Sequence, residues 1–174
     1  MGNPKARAYL KRQEMIAAWN VAETRPRGLG EDICVPGIGL KRIELVYAPS
    51  FEVGHSWDLR VLNHDFRLFR SQIILERGQT MLTGYQELEA DPEVLKNFMA
   101  RLGKISLPIA PDFSGRAGLD GTFFQLAFIG DLYSEIRFQW WSDYPANWRE
   151  LVAIADEMIR SFIPLREKSR SSIS

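Results

Sequence analysis

A period of two constrains this chain more than any other feature. His55, Trp57, Leu59 and Val61 alternate with Ser56, Asp58 and Arg60, and a second run from Phe66 to Leu75 follows after Asn63, His64 and Asp65. Side chains on a strand point alternately to opposite faces, so such a run buries one side only. Asn and Asp supply turn chemistry between the runs, and together they predict an antiparallel hairpin. A loop of those three residues sets Leu59 against Phe69 and Asp58 against Arg70, like with like. Ile43, Leu45 and Tyr47 alternate with Glu44 and Val46 in the same way, and residues 81–88 add a fourth strand that Gly84 weakens.

A second hairpin lies at FFQLAFI and LYSEIRFQWW, with Gly130 and Asp131 at its turn. A two-residue turn would set Leu126 against Glu135 and mix the faces. Extending the loop to include Leu132 sets Leu126 against Ile136 and Phe124 against Phe138, which leaves Glu135, Arg137, Gln139 and Trp141 on the other face. A three-residue loop or a neighbouring bulge is therefore expected.

Helices show a different spacing. Residues 4–23 have no interior Gly or Pro, and Tyr9, Ile16 and Trp19 form only a narrow apolar stripe, as in a helix docked by one edge. Asp91, Pro92 and Glu93 supply a cap, a first-turn proline and an acid at the positive end. Leu95, Phe98, Met99 and Leu102 follow at helical spacing, and Gly103 is the stop. From Pro145 to Phe162, Trp148, Leu151, Ala155, Met158 and Phe162 form a stripe, in which each large apolar side chain is worth about 2 kcal/mol when buried. Between residues 24 and 40, two Pro and four Gly break both periods and mark a connecting loop. Its glycine pairs lack the flanking strand and helix of a phosphate cradle.

With 174 residues, 45% hydrophobic and 25% charged, the chain can bury one core. Strands joined by hairpins predict an α+β fold. Its antiparallel sheet has about five to six strands, with helices packed mainly on one face and an N-terminal helix besides. The expectation is a single domain over 1–174, in which residues 1–30 hold the N-terminal helix and the start of the loop, and 165–174 form a loose polar tail.

Chemistry is sparsely marked. The single cysteine, Cys34, excludes an internal disulfide, and Glu31 and Asp32 beside it would raise a thiol pKa rather than activate it. Ser114 lacks the context of a nucleophile elbow. His55 and His64 do not match helical metal spacing, and no cofactor or metal is expected. The N-terminus runs straight into charged residues where a signal peptide needs an apolar segment, so a cytoplasmic location is expected, without a membrane anchor. Asp120, between Gly118 and Gly121, reads first as a turn residue and second as a carboxylate presented beside Arg137 or Asp143. Trp140 and Trp141 must face opposite ways. Trp140 goes inward, and Trp141 joins Arg137 on the other face, near Tyr144, in a composition enriched at protein interfaces. The candidate partner-binding residues are Asp120, Arg137, Trp141, Asp143 and Tyr144.

The string GLDGT at 118–122, then Phe124 to Leu126, RFQWW at 137–141, Pro145 and Trp148 resembles a pattern in small bacterial proteins of unknown function. The resemblance covers about residues 91–163 and implies a bacterial origin and a shared fold, with no reaction attached. Gln125 stands where that pattern has Glu, which argues against a catalytic carboxylate at this position.

The formal charge of zero is a cancellation. Residues 1–30 hold six basic and two acidic side chains, residues 31–164 hold 13 basic and 19 acidic, and residues 165–174 hold three basic and one acidic. Without an aromatic stacking platform, the basic N-terminal helix gives little reason to expect nucleic acid binding. An acidic body with surplus aromatics and no catalytic motif fits a non-enzymatic protein-binding protein, such as an immunity protein that neutralises a toxin or effector. The alternative is a small-molecule enzyme with a site near Asp120, Arg137 and Asp143.

Overall fold

The computed structural model describes residues 4–32, 35, 37–77, 79–107, 110, 112, 121–131 and 134–169. Helix α1 spans Pro4–Thr24, and strands β1 (Arg27–Gly28), β2 (Leu40–Ala48), β3 (Gly54–Leu62), β4 (Asp65–Glu76) and β5 (Gln79–Glu87) follow. Helix α2 (Pro92–Leu102) leads to β6 (Phe123–Ile129) and β7 (Glu135–Trp140). A single 3-10 turn, Ala146–Trp148, opens α3 (Arg149–Phe162). The architecture is α+β, and the seven strands form one antiparallel sheet in the order β1-β5-β4-β3-β2-β6-β7. The expected five to six strands become seven because β1, two residues long, pairs inside the stretch read as a connecting loop. No helix among the described residues is long and apolar enough to cross a membrane.

The cap read at Asp91 is present: its carboxylate accepts the Glu93 N–H at 2.9 Å, with Pro92 opening the helix. On one face of the sheet, Ile43, Leu45, Trp57, Leu59, Leu68 and Leu126 pack beneath Leu95, Phe98 and Leu102 of α2 and Leu151, Ala155, Met158 and Phe162 of α3. Phe69, the neighbour of Leu68, points the other way and packs with Tyr85 against Ala18, Trp19 and Ala22 of α1. Two helices thus cover one face and the third the other. Residues 165–168, expected to be loose, run back beside β5, where the Lys168 N–H donates to the Glu87 carbonyl at 2.8 Å.

Both hairpin registers differ from the expectation. The β3–β4 loop has two residues, Asn63 and His64, with φ of 51° and 72°, the mark of a type I′ turn, and Leu62 faces Asp65. Leu59 therefore meets Leu68, Asp58 meets Phe69 and Trp57 meets Arg70. Asn and His both tolerate the left-handed backbone, which lets Asp65 join the strand. In the second hairpin Leu126 faces Phe138 and Phe124 faces Trp140. The Gly130 N–H donates to the Ser134 carbonyl at 2.8 Å, so three residues separate the paired positions, the expected loop length, but displaced by one position along the chain, which moves the register by two. Residue parity survives that shift: Trp140 is buried and Trp141 exposed, as the alternation requires.

Candidate functional site

The second face of the sheet carries a buried cluster of charges. Asp58 and Arg60 on β3, Glu44 and Lys41 on β2 and Arg27 on β1 are each 6% exposed or less. Alternation places Asp58 and Arg60 on this face together, but Lys41 and Glu44 are an odd number of residues apart. A bulge between Lys41 and Ile43 reverses the parity and brings the lysine in. A second register shift, opposite Gly84 (φ 69°), does the same for Leu82 and Tyr85.

Asp58 is the centre. Its Oδ2 accepts from the Tyr85 hydroxyl at 3.1 Å and from Arg60 Nη2 at 3.3 Å, while Lys41 Nζ lies 3.3 Å from Oδ1 and Arg27 Nη2 4.0 Å from Oδ2. Burial alone would raise this carboxyl, but Lys41, Arg27 and Arg60, aided by the Tyr85 hydroxyl, hold it below its ordinary value. Burial and then Asp58 push the Tyr85 phenol well above its ordinary value, so it stays a neutral donor. Glu44 sits 3.6 Å from Lys41 Nζ and accepts from Gln125 Nε2 at 3.2 Å, and Gln139 Nε2 donates to Gln125 Oε1 at 2.8 Å.

The described residues between 28 and 39 form a strap over this cluster. The Gly30 N–H donates to Glu44 at 3.3 Å, Arg60 Nη1 donates to the Gly39 carbonyl at 2.9 Å, and Arg60 Nη2 pairs with Asp32. Three buried cations face two buried carboxylates, and Asp32, 64% exposed, supplies the third negative charge. The charges thus serve one another and fix the strap. His55 is half-buried beside Trp57, and burial with Arg70 lowers its pKa, which keeps the imidazole neutral. His64 lies in the type I′ turn. Among the described residues no three His, Cys, Asp or Glu side chains gather as a metal site.

The candidates read from the sequence lie elsewhere, at and beyond β7. Asp120, with Gly118, Cys34 and Ser114, lies outside the described residues. Arg137 Nε donates to Glu135 at 2.8 Å, on the same strand and face, and a Cβ built at Gly30 would lie 2.7 Å from the guanidinium. Asp143 is exposed. Trp141 is 51% exposed, edge-on to Phe123 at 5.6 Å, and Tyr144 is 40% exposed.

One residue of this region escaped the sequence reading. Phe51, 90% exposed, sits in the β2–β3 loop, which Ser50 Oγ ties to the Gly121 backbone. The next residue, Thr122, donates its N–H to Ser142 Oγ at 2.9 Å. Those bonds hold the Phe51 loop, Phe123 and the Trp141–Tyr144 segment at one end of the sheet, where three large aromatic side chains face water. Scanned against family models, curated proteins and solved structures, the chain has no match.

Proposed function

We propose that this protein acts by binding another protein at the aromatic end formed by Phe51, Trp141 and Tyr144, without catalysing a reaction. The observation that carries the reading is their exposure on loops that hydrogen bonds hold in place, since rigid aromatic anchors supply most of the binding energy at protein interfaces. The partner we propose is a toxin or effector with a basic surface, which this protein neutralises. Lys41, Arg60, Glu44 and Asp58 cancel one another inside the fold and Asp32 is held by Arg60, so an excess of five acidic residues in 31–164 lies outside that cluster. Such a surface steers a basic partner at low salt.

A photo-cross-linking residue at position 144 tests this in the cells that make the protein. The expected result is capture of a specific basic protein, lost in Phe51→Ala/Trp141→Ala and weakened by salt. Equal capture by the wild type and the double variant, or no capture at all, overturns the reading.

A further inference from the structure

The two edges of the sheet are finished differently. At one, β5 is capped by the two residues of β1. At the other, β7 presents six residues that pair only with β6 among the described residues. The Gly130–Ser134 hydrogen bond sets the phase of the β6–β7 ladder. Bonded pairs alternate from there, so Ile136, Phe138 and Trp140 turn their backbone groups toward β6, and Glu135, Arg137 and Gln139 turn theirs outward. A strand edge with free donors and acceptors is a template for another strand.

Edges are commonly defended by charge, which works when the charges repel an incoming copy. Here the outward positions carry Glu135 and then Arg137, opposite in sign and two residues apart on one face. Between them, on the other face, Ile136 is 62% exposed. We propose that β7 pairs antiparallel with β7 of a second copy of this chain, about a two-fold axis through Ile136. In that register Glu135 lies opposite Arg137 of the other copy and Arg137 opposite its Glu135, all four using their outward backbone groups. Ile136 meets its own counterpart as a non-hydrogen-bonded pair, the closer kind, with Phe138 on the diagonal. A two-fold axis one residue along, through Arg137, would set Arg137 against itself and is disfavoured. Charge complementarity thus selects both the occupant and the register. The proposal does not depend on the aromatic end having a partner.

Sedimentation equilibrium over a wide concentration range, with circular dichroism to verify folding, reads the outcome. The wild type is expected to dimerise and Ile136→Lys to stay monomeric. Glu135→Arg and Arg137→Glu should each weaken dimerisation roughly tenfold by placing like charges opposite, and the double swap should restore it. In a Cys34→Ser background, Ile136→Cys should cross-link to itself on mild oxidation. A wild type that stays monomeric at the highest concentration overturns the proposal, as does a double swap no better than the single changes. Pairing with some other protein's strand instead would show as capture of that protein sensitive to Ile136→Lys and indifferent to Phe51→Ala.

Discussion

Leu45 and Glu44 are neighbours on β2, both withdrawn from water, and they meet opposite surroundings. Leu45 lies against Trp57, Leu126 and the helices, where any hydrocarbon of fitting shape is an adequate neighbour. Glu44 needs Lys41, the Gly30 N–H and Gln125, which arrive from a bulge, a strap and a different strand. A buried charge is costly unless each partner is in place, so the second face depends on particular residues where the first depends on volume and pattern. The sheet therefore has one permissive face and one exacting face.

The hardest test of that contrast is Asp58→Asn, which preserves volume and removes one charge. It leaves Arg27, Lys41 and Arg60 facing a single buried carboxylate, and a loss of about 3–5 kcal/mol is expected in urea unfolding. A loss under about 1 kcal/mol would mean that the charges relax freely and that the face is no more exacting than its opposite. On the apolar face Leu151→Ala, which empties a fully buried site, should cost about 2–5 kcal/mol. Met158→Leu, equally buried and nearly equal in volume, should cost less than about 1.5 kcal/mol. The contrast fails if Met158→Leu and Asp58→Asn prove alike.

The permissive face was the legible one. Alternation at Ile43–Tyr47 and His55–Val61, the cap at Asp91 and the stripe from Trp148 to Phe162 each specify their element locally. The exacting face is not legible, because a polar residue at every second strand position looks the same whether water or a strap covers it. Two bulges reverse the parity on which such reading rests, bringing Lys41 beside Glu44 and setting Tyr85 over Phe69, and one residue of turn length moves a whole register. Val35 and Ile38, which help close that face, stand alone among glycines and prolines with no period to reveal them. Of the candidate site, Trp141 followed from parity, and Tyr144 from its place in the aromatic run beside it. Phe51 did not, since a lone aromatic in a loop carries no pattern.

Acid should separate the faces without any mutation. Burial raises the Asp58 carboxyl, and the cations around it more than offset that, so its folded pKa lies below the ordinary 3.8. For Glu87 too, burial raises the value, and Arg67 and then Lys168 bring it below 4.5. A depressed folded value means that the unfolded chain takes up protons first, so the stabilisation is complete above the unfolded pKa and is lost as pH falls through the folded one. The urea midpoint should therefore fall steeply below about pH 4, and Asp58→Asn should flatten that slope while Leu151→Ala leaves it unchanged. At the alkaline end the sign reverses. Tyr85 is pushed up by burial and Asp58, so unfolding releases its proton and stability should decline above pH 10. A wild type and an Asp58→Asn variant with parallel acid slopes would remove the charged face from the account of acid unfolding.

The smallest expected effect lies where the exacting face reaches water. Asp32 pairs with buried Arg60 from a strap position that is 64% exposed, and it makes the cluster's count of three cations and three carboxylates complete. Solvent screens an exposed partner, so Asp32→Asn should cost only about 0–1 kcal/mol, and less at high salt. Arg60 retains Tyr85, Asp58 and the Gly39 carbonyl, so the strap should stay seated and hydrogen exchange at Gly39 and Leu40 should be unchanged. A loss of about 2 kcal/mol or more, with faster exchange there, would show that Asp32 belongs to the buried network in energy as well as in charge count. The boundary between the permissive and exacting regimes would then run through the strap's outer surface and not beneath it.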